Sequence, residues 1–568
     1  MAASYSKNIP RRKAAADIPV TVAIPGREAE MTRNNTGGMT FKISIWDQLH
    51  RFLVLGARAD TYYENQSKIA SRNTKVAKDC LKADGRKTVD LIVEISESGR
   101  ALKNDEALLA LAVAAAHDCP ETRKYALASL PRVARIPTHL FDFLTYVEGF
   151  RGWGKGLRKA VANWYESKNL RNAAYQMVKY RQRNGWAHRD VLRKAHINTS
   201  DEARSALYAL ACNGFKASFD SEGRIVTERR LRKGNKSAAV TTQPIVLPGT
   251  DDFRIVEGFL KAQSADNVGD VIRIVEDHRL TQEMIPTQFL SDAKVQEHLF
   301  QSMPLGATIR NLGKLTSLGI LSSMSDNIDV LADRMAMEGL KKARIHPITI
   351  LNALAVYKTG GENHALKGKM RWTPVQKIID LLDDAFYDAF GAIEPTGKRI
   401  VMALDVSGSM GWSYASGCPL LSARQIVAAL AMATARVEKK YEFIGFCHHV
   451  TPLDISPRMR LDTVIGKLSN LEFGATNPGA AIGWASKRGV KADAFVVYTD
   501  GEVNCGRHVK PLLDKYRRST GLETRLFVGA TTATPMSIAD PNDRGMLDMP
   551  GFDAATPRIL SEFISGNI

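Results

Sequence analysis

The feature that most constrains this chain is the run Arg399-Ile400-Val401-Met402-Ala403-Leu404-Asp405-Val406-Ser407-Gly408-Ser409-Met410. Apolar residues run straight into one acid and two hydroxyls at alternate positions. A strand that is apolar on both faces belongs inside a sheet covered on both sides, the setting of parallel strands joined by helices. The loop that leaves it offers only small oxygen donors, which is the set a hard cation such as Mg²⁺ selects. Two later segments fit the same site. Gly474-Ala475-Thr476-Asn477-Pro478-Gly479 is a glycine-bracketed loop with a third hydroxyl, and Ala494-Phe495-Val496-Val497-Tyr498-Thr499-Asp500-Gly501 is a second buried strand ending in an acid. Both are expected at the carboxyl ends of strands, where open α/β sheets place their ligands. The candidate metal ligands are therefore Asp405, Ser407, Ser409, Thr476 and Asp500, the last directly or through water. At least one coordination position is left for water or a partner's carboxylate.

These three separated motifs, in this order, resemble the von Willebrand factor A domain with a complete metal-ion-dependent adhesion site, over roughly residues 395–568. The same region alternates strand-like and helix-like segments, at 399–404, 421–438, 441–447, 461–468, 480–487, 494–499, 509–518 and 525–528. That alternation predicts a doubly wound parallel sheet.

A chain of 568 residues has room for several domains. Its 78 basic and 60 acidic residues give a net charge of +18, which favours a polyanionic partner. The charge is unevenly placed. From Thr396 onward there are 20 Lys and Arg against 16 Asp and Glu, a net of +4, which leaves +14 on the first 395 residues. The six cysteines form no C-x-x-C pair and no zinc-spaced cluster, consistent with reduced thiols. No apolar run reaches the length of a membrane span, and Arg11, Arg12 and Lys13 are not followed by an apolar h-region, so a cytoplasmic monomer without membrane contact is expected. Residues 1–36 lack apolar periodicity and are expected to form a flexible basic tail.

From Ile45 the pattern turns helical and stays so through residue 390, with strand-like alternation nearly absent. Apolar faces recur at 45–53, 107–116, 126–133, 140–147, 157–164, 173–179, 203–211, 253–262, 268–275, 331–343, 348–357 and 375–390. Many helices with short breaks predict an α-solenoid of antiparallel pairs. Residues 227–252, with Glu228-Arg229-Arg230-Leu231-Arg232-Lys233-Gly234-Asn235-Lys236, read as an exposed basic insertion.

The densest stretch is Lys179-Tyr180-Arg181-Gln182-Arg183-Asn184-Gly185-Trp186-Ala187-His188-Arg189-Asp190-Val191-Leu192-Arg193-Lys194-Ala195-His196. With 173–183 helical, Lys179 and Arg183 would project from one face at a spacing that follows successive phosphates. Asn184-Gly185 would break that helix. A second would begin near Ala187 and gather Arg189, Arg193 and His196, with Trp186 as a core anchor.

This stretch, together with Gly37-Gly38-Met39, Leu49-His50-Arg51-Phe52-Leu53, Thr61-Tyr62-Tyr63, Arg135-Ile136-Pro137-Thr138-His139-Leu140-Phe141, Leu312-Gly313-Lys314 and Lys342-Ala343-Arg344-Ile345-His346-Pro347, resembles the TROVE module of the Ro 60 kDa autoantigen family and its bacterial orthologues. Glu394-Pro395-Thr396-Gly397-Lys398-Arg399 joins it to the A-type domain as in that family. The resemblance implies an RNA-binding ring of HEAT-like helical repeats over residues 37–395, closed by an A-type domain over 396–568. It implies that single-stranded ends of misfolded non-coding RNAs enter the ring while small Y-like RNAs bind outside, with Lys179, Arg183 and His196 as RNA contacts. Presentation of the captured RNA to an exoribonuclease follows as a further expectation. The sequence contains no nucleophile and base pair, phosphate-cradling loop or two-carboxylate site, so a non-catalytic protein is expected. The rival reading is a metal-dependent protein adaptor whose helical part is a scaffold.

Overall fold

The computed structural model describes residues 17–56, 66–231, 241–362, 370–391, 393–414, 418, 420–471, 474–551 and 553–568. Thr61-Tyr62-Tyr63 and the Arg232 to Lys236 part of the basic insertion lie outside the described residues.

The helical region runs from Ile45–Leu55 to Gln376–Asp388. Many of its helices start on a side chain that accepts from an otherwise orphan amide, as Asp84 does from Lys87 N at 2.9 Å and Asn169 from Asn172 N at 2.8 Å. Two expected helices are each divided. Residues 126–133 split at Ser129 into Pro120–Ala128 and Leu130–Val133, and 331–343 split at Ala336 into Asn327–Met335 and Met337–Ala343. Consecutive helices share one continuous apolar core that includes Leu49, Leu111, Phe141, Trp164, Leu207, Phe259 and Leu299. That is how a solenoid is built, since each helix pair can bury its apolar face only against its neighbours.

Strand structure is present in this region after all. Ser218–Phe219, Ile225–Leu231 and Thr241–Val246 form an antiparallel sheet where a basic insertion is expected. Its anchor is a short alternation: Ile225 and Thr227 are buried while Glu228 is exposed, and Thr227 Oγ1 donates to Lys216 O at 2.9 Å.

The second region is built on a six-stranded sheet. Its order is Val450–Pro452, Lys440–Phe446, Arg399–Asp405, Ala494–Thr499, Arg525–Ala530 and Met546–Pro550, all parallel except the first. The central strand alternates between two cores. Ile400, Met402 and Leu404 face one, and Val401 and Ala403 the other. The first of these cores is continuous with the last helices of the array, from Phe300 to Phe390, so no gap in packing separates the two regions on that side.

Both ends of the helical array dock on this sheet domain. At the start, Arg51 is buried, pairs with Asp548, and donates to Met536 O at 2.9 Å and Thr534 O at 3.0 Å, while Arg100 Nε reaches Asp553 at 3.0 Å. At the finish, Arg460 meets Asp380 at 2.6 Å, Lys358 meets Asp462 at 2.7 Å, and the Arg436 guanidinium lies 3.3 Å from the centre of the Tyr387 ring. The helical path is thereby closed through the sheet domain, giving the ring of helices and the doubly wound domain expected.

The expectation of a flexible tail through residue 36 is corrected from Asp17 onward; residues 1–16 lie outside the described residues. Met31–Arg33 and Met39–Lys42 pair with each other, and the latter pairs with Met536–Ser537 of the sheet domain. Val20 is buried in that domain's second core, and Arg27 meets Asp540 at 2.8 Å. The segment lacks periodicity because it forms no core of its own. It is ordered by partners some 500 residues away, which local pattern cannot reveal.

Candidate metal centre and nucleic-acid interface

The register of the sheet sets the metal centre. Asp405 is the last residue of the central strand and pairs with Phe446, while Thr499 closes the neighbouring strand whose Tyr498 pairs with Leu404. The Thr499 hydroxyl therefore donates to Asp405 Oδ2 at 2.6 Å, and Asp405 Oδ1 accepts from Ser407 N at 2.9 Å. The turn brings Ser407 Oγ within 3.2 Å of Ser409 Oγ, and Ser409 is hydrogen-bonded to the Asp500 carboxylate. Asp405, Ser407, Ser409 and Asp500 thus form one cluster, all buried.

Thr476 is also buried, and its loop lies beside the one that follows Asp500. The hydrogen bonds that seat it run through its backbone: Thr476 N donates to Asn504 Oδ1 at 2.8 Å, and its carbonyl accepts from Asn504 N and Cys505 N, both at 3.2 Å.

Two buried carboxylates in one cluster are costly without a counter-charge. Burial, and after it the neighbouring Asp405, push the Asp500 carboxyl up to about 7, and burial raises Asp405 as well. The nearby cation, Arg424, is buried and turned to the backbone, donating through Nη2 to Val406 O at 2.9 Å and Ser407 O at 3.0 Å. An all-oxygen donor set with two acids that Arg424 only partly compensates fits a hard divalent cation such as Mg²⁺, which would be held by these side chains and would supply the missing positive charge.

Sequence reasoning missed what holds this centre from outside. Asn34 Nδ2 donates to Val503 O at 2.7 Å, and Asn35 donates to Glu502 through its backbone N at 2.9 Å and its Nδ2 at 2.6 Å. At Gly38 an added Cβ would stand 2.0 Å from Val503 O, so only glycine permits that approach. The Gly37-Gly38 pair was the visible signal, although it reads there as the onset of order.

The second candidate site is the hairpin after Lys179. The helix Leu170–Lys179 ends earlier than 183, so Lys179 and Arg183 do not share a helix face. Gln182–Arg183 instead pairs with Trp186–Ala187 across Asn184 and Gly185, whose φ angles of 52° and 81° make the two-residue turn. Asn-Gly here closes a hairpin as well as breaking a helix.

Lys179 and Arg183 nonetheless come together, lining one cleft of about 350 Å³ with Arg181, Arg189 and, as its one acid, Glu283. Lys179 is half-buried, with Nζ 3.1 Å from Tyr175 Oη and close to the Tyr175 and Tyr180 rings. Arg183 and Arg189 are exposed. Arg181 is the contributor that reading by helix face left out. Its guanidinium stacks 4.5 Å from the centre of Phe259, and burial, then Arg183, lower its pKa. His196 lies apart from this cleft. It is the exposed cap of the helix His188–Ala195, in the left-handed region at φ 52°. Trp186 is the core anchor expected, buried with Nε1 donating to Thr145 Oγ1 at 3.0 Å.

Two family profiles match the chain, the TROVE domain over residues 32–367 and the Ro60 vWA domain over 399–564. A Deinococcus radiodurans protein named RNA-binding protein RO60 is 34% identical over 567 residues, covering 99% of this chain and 100% of its own. A Caenorhabditis elegans protein of the same name is 33% identical, covering 94% of this chain and 90% of its own. The crystal structure of Deinococcus radiodurans RO (RSR) protein superposes with a TM-score of 0.67 at 34% identity, over 92% of this chain and 100% of that one. With a cation-type cluster on its sheet domain, a closed helical array and these matches across nearly its whole length, the chain belongs to the Ro60 family.

Proposed function

We propose that this protein is a non-catalytic RNA-binding protein that captures small Y-like RNA and the single-stranded ends of misfolded structured RNAs, and passes the latter to an exoribonuclease. The observation that carries the reading is the cleft in which Lys179, Arg181, Arg183 and Arg189 face a single acid. Cations on a hairpin rim contact phosphates, which carry little sequence information, and that suits recognition of an RNA end by its accessibility. The names of the two relatives support RNA as the ligand class. His196, outside the cleft at the end of the helix that follows the hairpin, is the third RNA contact of this reading.

The Asp405, Ser407, Ser409, Thr476 and Asp500 centre holds Mg²⁺ or a similar ion and leaves a position for water or a partner's carboxylate. A metal-dependent protein adaptor is the second reading, and the buried acid pair is the observation that favours it. Purification at low salt followed by crosslinking and sequencing of bound RNA tests the first reading. Bound RNA with unpaired ends supports it. A nucleic-acid-free preparation that also fails to bind a tailed hairpin RNA overturns it in favour of the adaptor.

A further inference from the structure

A second cluster of ligand-type atoms lies at the end of the strand beside the metal strand. Lys440–Phe446 runs straight into Cys447, His448 and His449. Cys447 Sγ is 3.5 Å from His448 Nδ1 and 3.5 Å from His449 Nδ1, and His449 Nδ1 is 3.1 Å from His448 Nε2. One ligand atom from each residue lies within 4.8 Å of the other two. A tetrahedral zinc ion with Zn–S near 2.3 Å and Zn–N near 2.0–2.1 Å separates its sulfur and nitrogen ligands by roughly 3.6 Å and its nitrogen ligands by roughly 3.3 Å. The two sulfur–nitrogen separations already match, and the two imidazoles touch through His448 Nε2 while its Nδ1 faces the sulfur, so ligation needs His448 to present one of its nitrogens to both partners.

The backbone explains why adjacent residues can converge here. Cys447 N donates to His449 O at 2.9 Å, so the chain folds tightly back as it leaves the strand into Val450–Pro452. Cys447 is buried and both imidazoles are exposed, which leaves the solvent side open for a fourth ligand. Thiolate and imidazole are softer donors than the oxygens around Asp405, and they select zinc over magnesium.

We propose that Cys447, His448 and His449 form a second metal centre that takes Zn²⁺, with the fourth position filled by solvent. It is distinct from the oxygen centre in both donors and preferred ion, and it touches the same loop. Asn477 N donates to Cys447 O at 3.0 Å, and an added Cβ at Gly474 would stand 2.3 Å from His448 Nδ1. The loop that carries Thr476 therefore rests on the zinc ligands. Zinc binding fixes the His448 ring against Gly474 and stiffens the loop from beneath.

The test uses the full chain, stripped with a chelator and titrated with Co²⁺ as a spectroscopic probe, then with Zn²⁺ against a chromophoric chelator. One equivalent of Co²⁺ should give tetrahedral visible bands and a thiolate-to-cobalt charge-transfer band, both displaced by Zn²⁺. The same spectrum should appear in Asp405→Ala, which removes a ligand of the oxygen centre only. Cys447→Ser should lose the charge-transfer band. The double substitution His448→Ala with His449→Ala should weaken Zn²⁺ binding by at least about tenfold, the scale of losses when a zinc site's supporting groups are removed. Because both rings are exposed, that variant should keep the wild-type melting temperature when both are metal-free. Absence of the charge-transfer band in the wild type, or an unchanged Zn²⁺ affinity in the double variant, overturns the proposal.

Discussion

The cluster around Asp405 and the cleft around Arg183 handle charge in opposite ways. In the sheet domain two acids are buried at strand ends and held by register, so their positions follow from the strands themselves. In the helical array the basic groups sit on a helix end, a short hairpin and a helix start, and all are half-buried or exposed, with water to solvate them. Buried charge must be compensated and is sensitive to every neighbour. Exposed charge can be removed at little cost to the fold and is felt mainly by a long-range partner.

That contrast can be broken first at the sheet domain. Asp405→Ala should abolish stabilisation by Mg²⁺, which at a hundredfold excess over Kd amounts to about 2.7 kcal/mol. It should leave RNA affinity within about threefold of wild type, because the basic excess belongs to the other region. Thermal melts with and without Mg²⁺, beside RNA titrations of the same samples, check both halves. A tenfold loss of RNA affinity in a folded variant would merge the two sites into one.

A smaller effect is expected within the hairpin. His188 starts the helix that carries Arg189, is buried, and shares a hydrogen bond of 2.7 Å between Nδ1 and Tyr165 Oη. Burial lowers its pKa to about 3 from an ordinary 6.5. The unfolded chain therefore binds a proton that the folded chain refuses. The contribution is constant above pH 6.5, and stability declines as pH falls from 6.5 toward 3, by up to about 1.4 kcal/mol per unit. Denaturant unfolding at pH 7 and pH 5 should give a larger loss for the wild type than for His188→Gln. Equal losses would remove His188 as the cause.

The cleft itself should show the smallest change in stability and a clear change in salt response. Replacing Lys179 and Arg183 together by alanine should reduce the dependence of log K on log salt by roughly 0.7 for each lost phosphate contact with single-stranded RNA. The exposed Arg183 should contribute within about 0.5 kcal/mol to folding. Arg189→Ala should remove one such contact alone. An unchanged slope in both variants would make this hairpin a solvated basic face.

What could be read from sequence follows the same division. Asp405, Ser407 and Ser409 lie within five residues of one strand and its turn, so spacing alone fixes their proximity. Asp500 follows the same logic on the neighbouring strand. Lys179 and Arg183 were assigned to one site through a helix that stops at Lys179, and the turn at Asn184 and Gly185 is what brings Arg189 back to the same cleft. Arg181 reaches the cleft by stacking on Phe259, nearly eighty residues away, and no local period encodes that. The sheet at 218–246 was hidden for a related reason, since among its strand residues whose burial is described only Ile225 and Thr227 are buried. The segment from Asp17 to Lys42 was the hardest to read, because its partners lie near residues 503, 536 and 540.

Those partners also set a clock. Met39–Lys42 is made some 500 residues before Met536–Ser537, with which it pairs. At roughly 5–20 residues per second, the early strand waits on the order of 25–100 s on the ribosome before its mate exists. The closed helical path is in the same position, since Arg51 and Arg100 find their acids only at residues 548 and 553. A chain ending before Met536 should leave the segment from Asp17 to Lys42 open to limited proteolysis, and protection there would contradict the pairing. The ring is fastened late, by residues made some 450–500 positions after the segments they hold, so until those residues emerge the growing protein is an open arc.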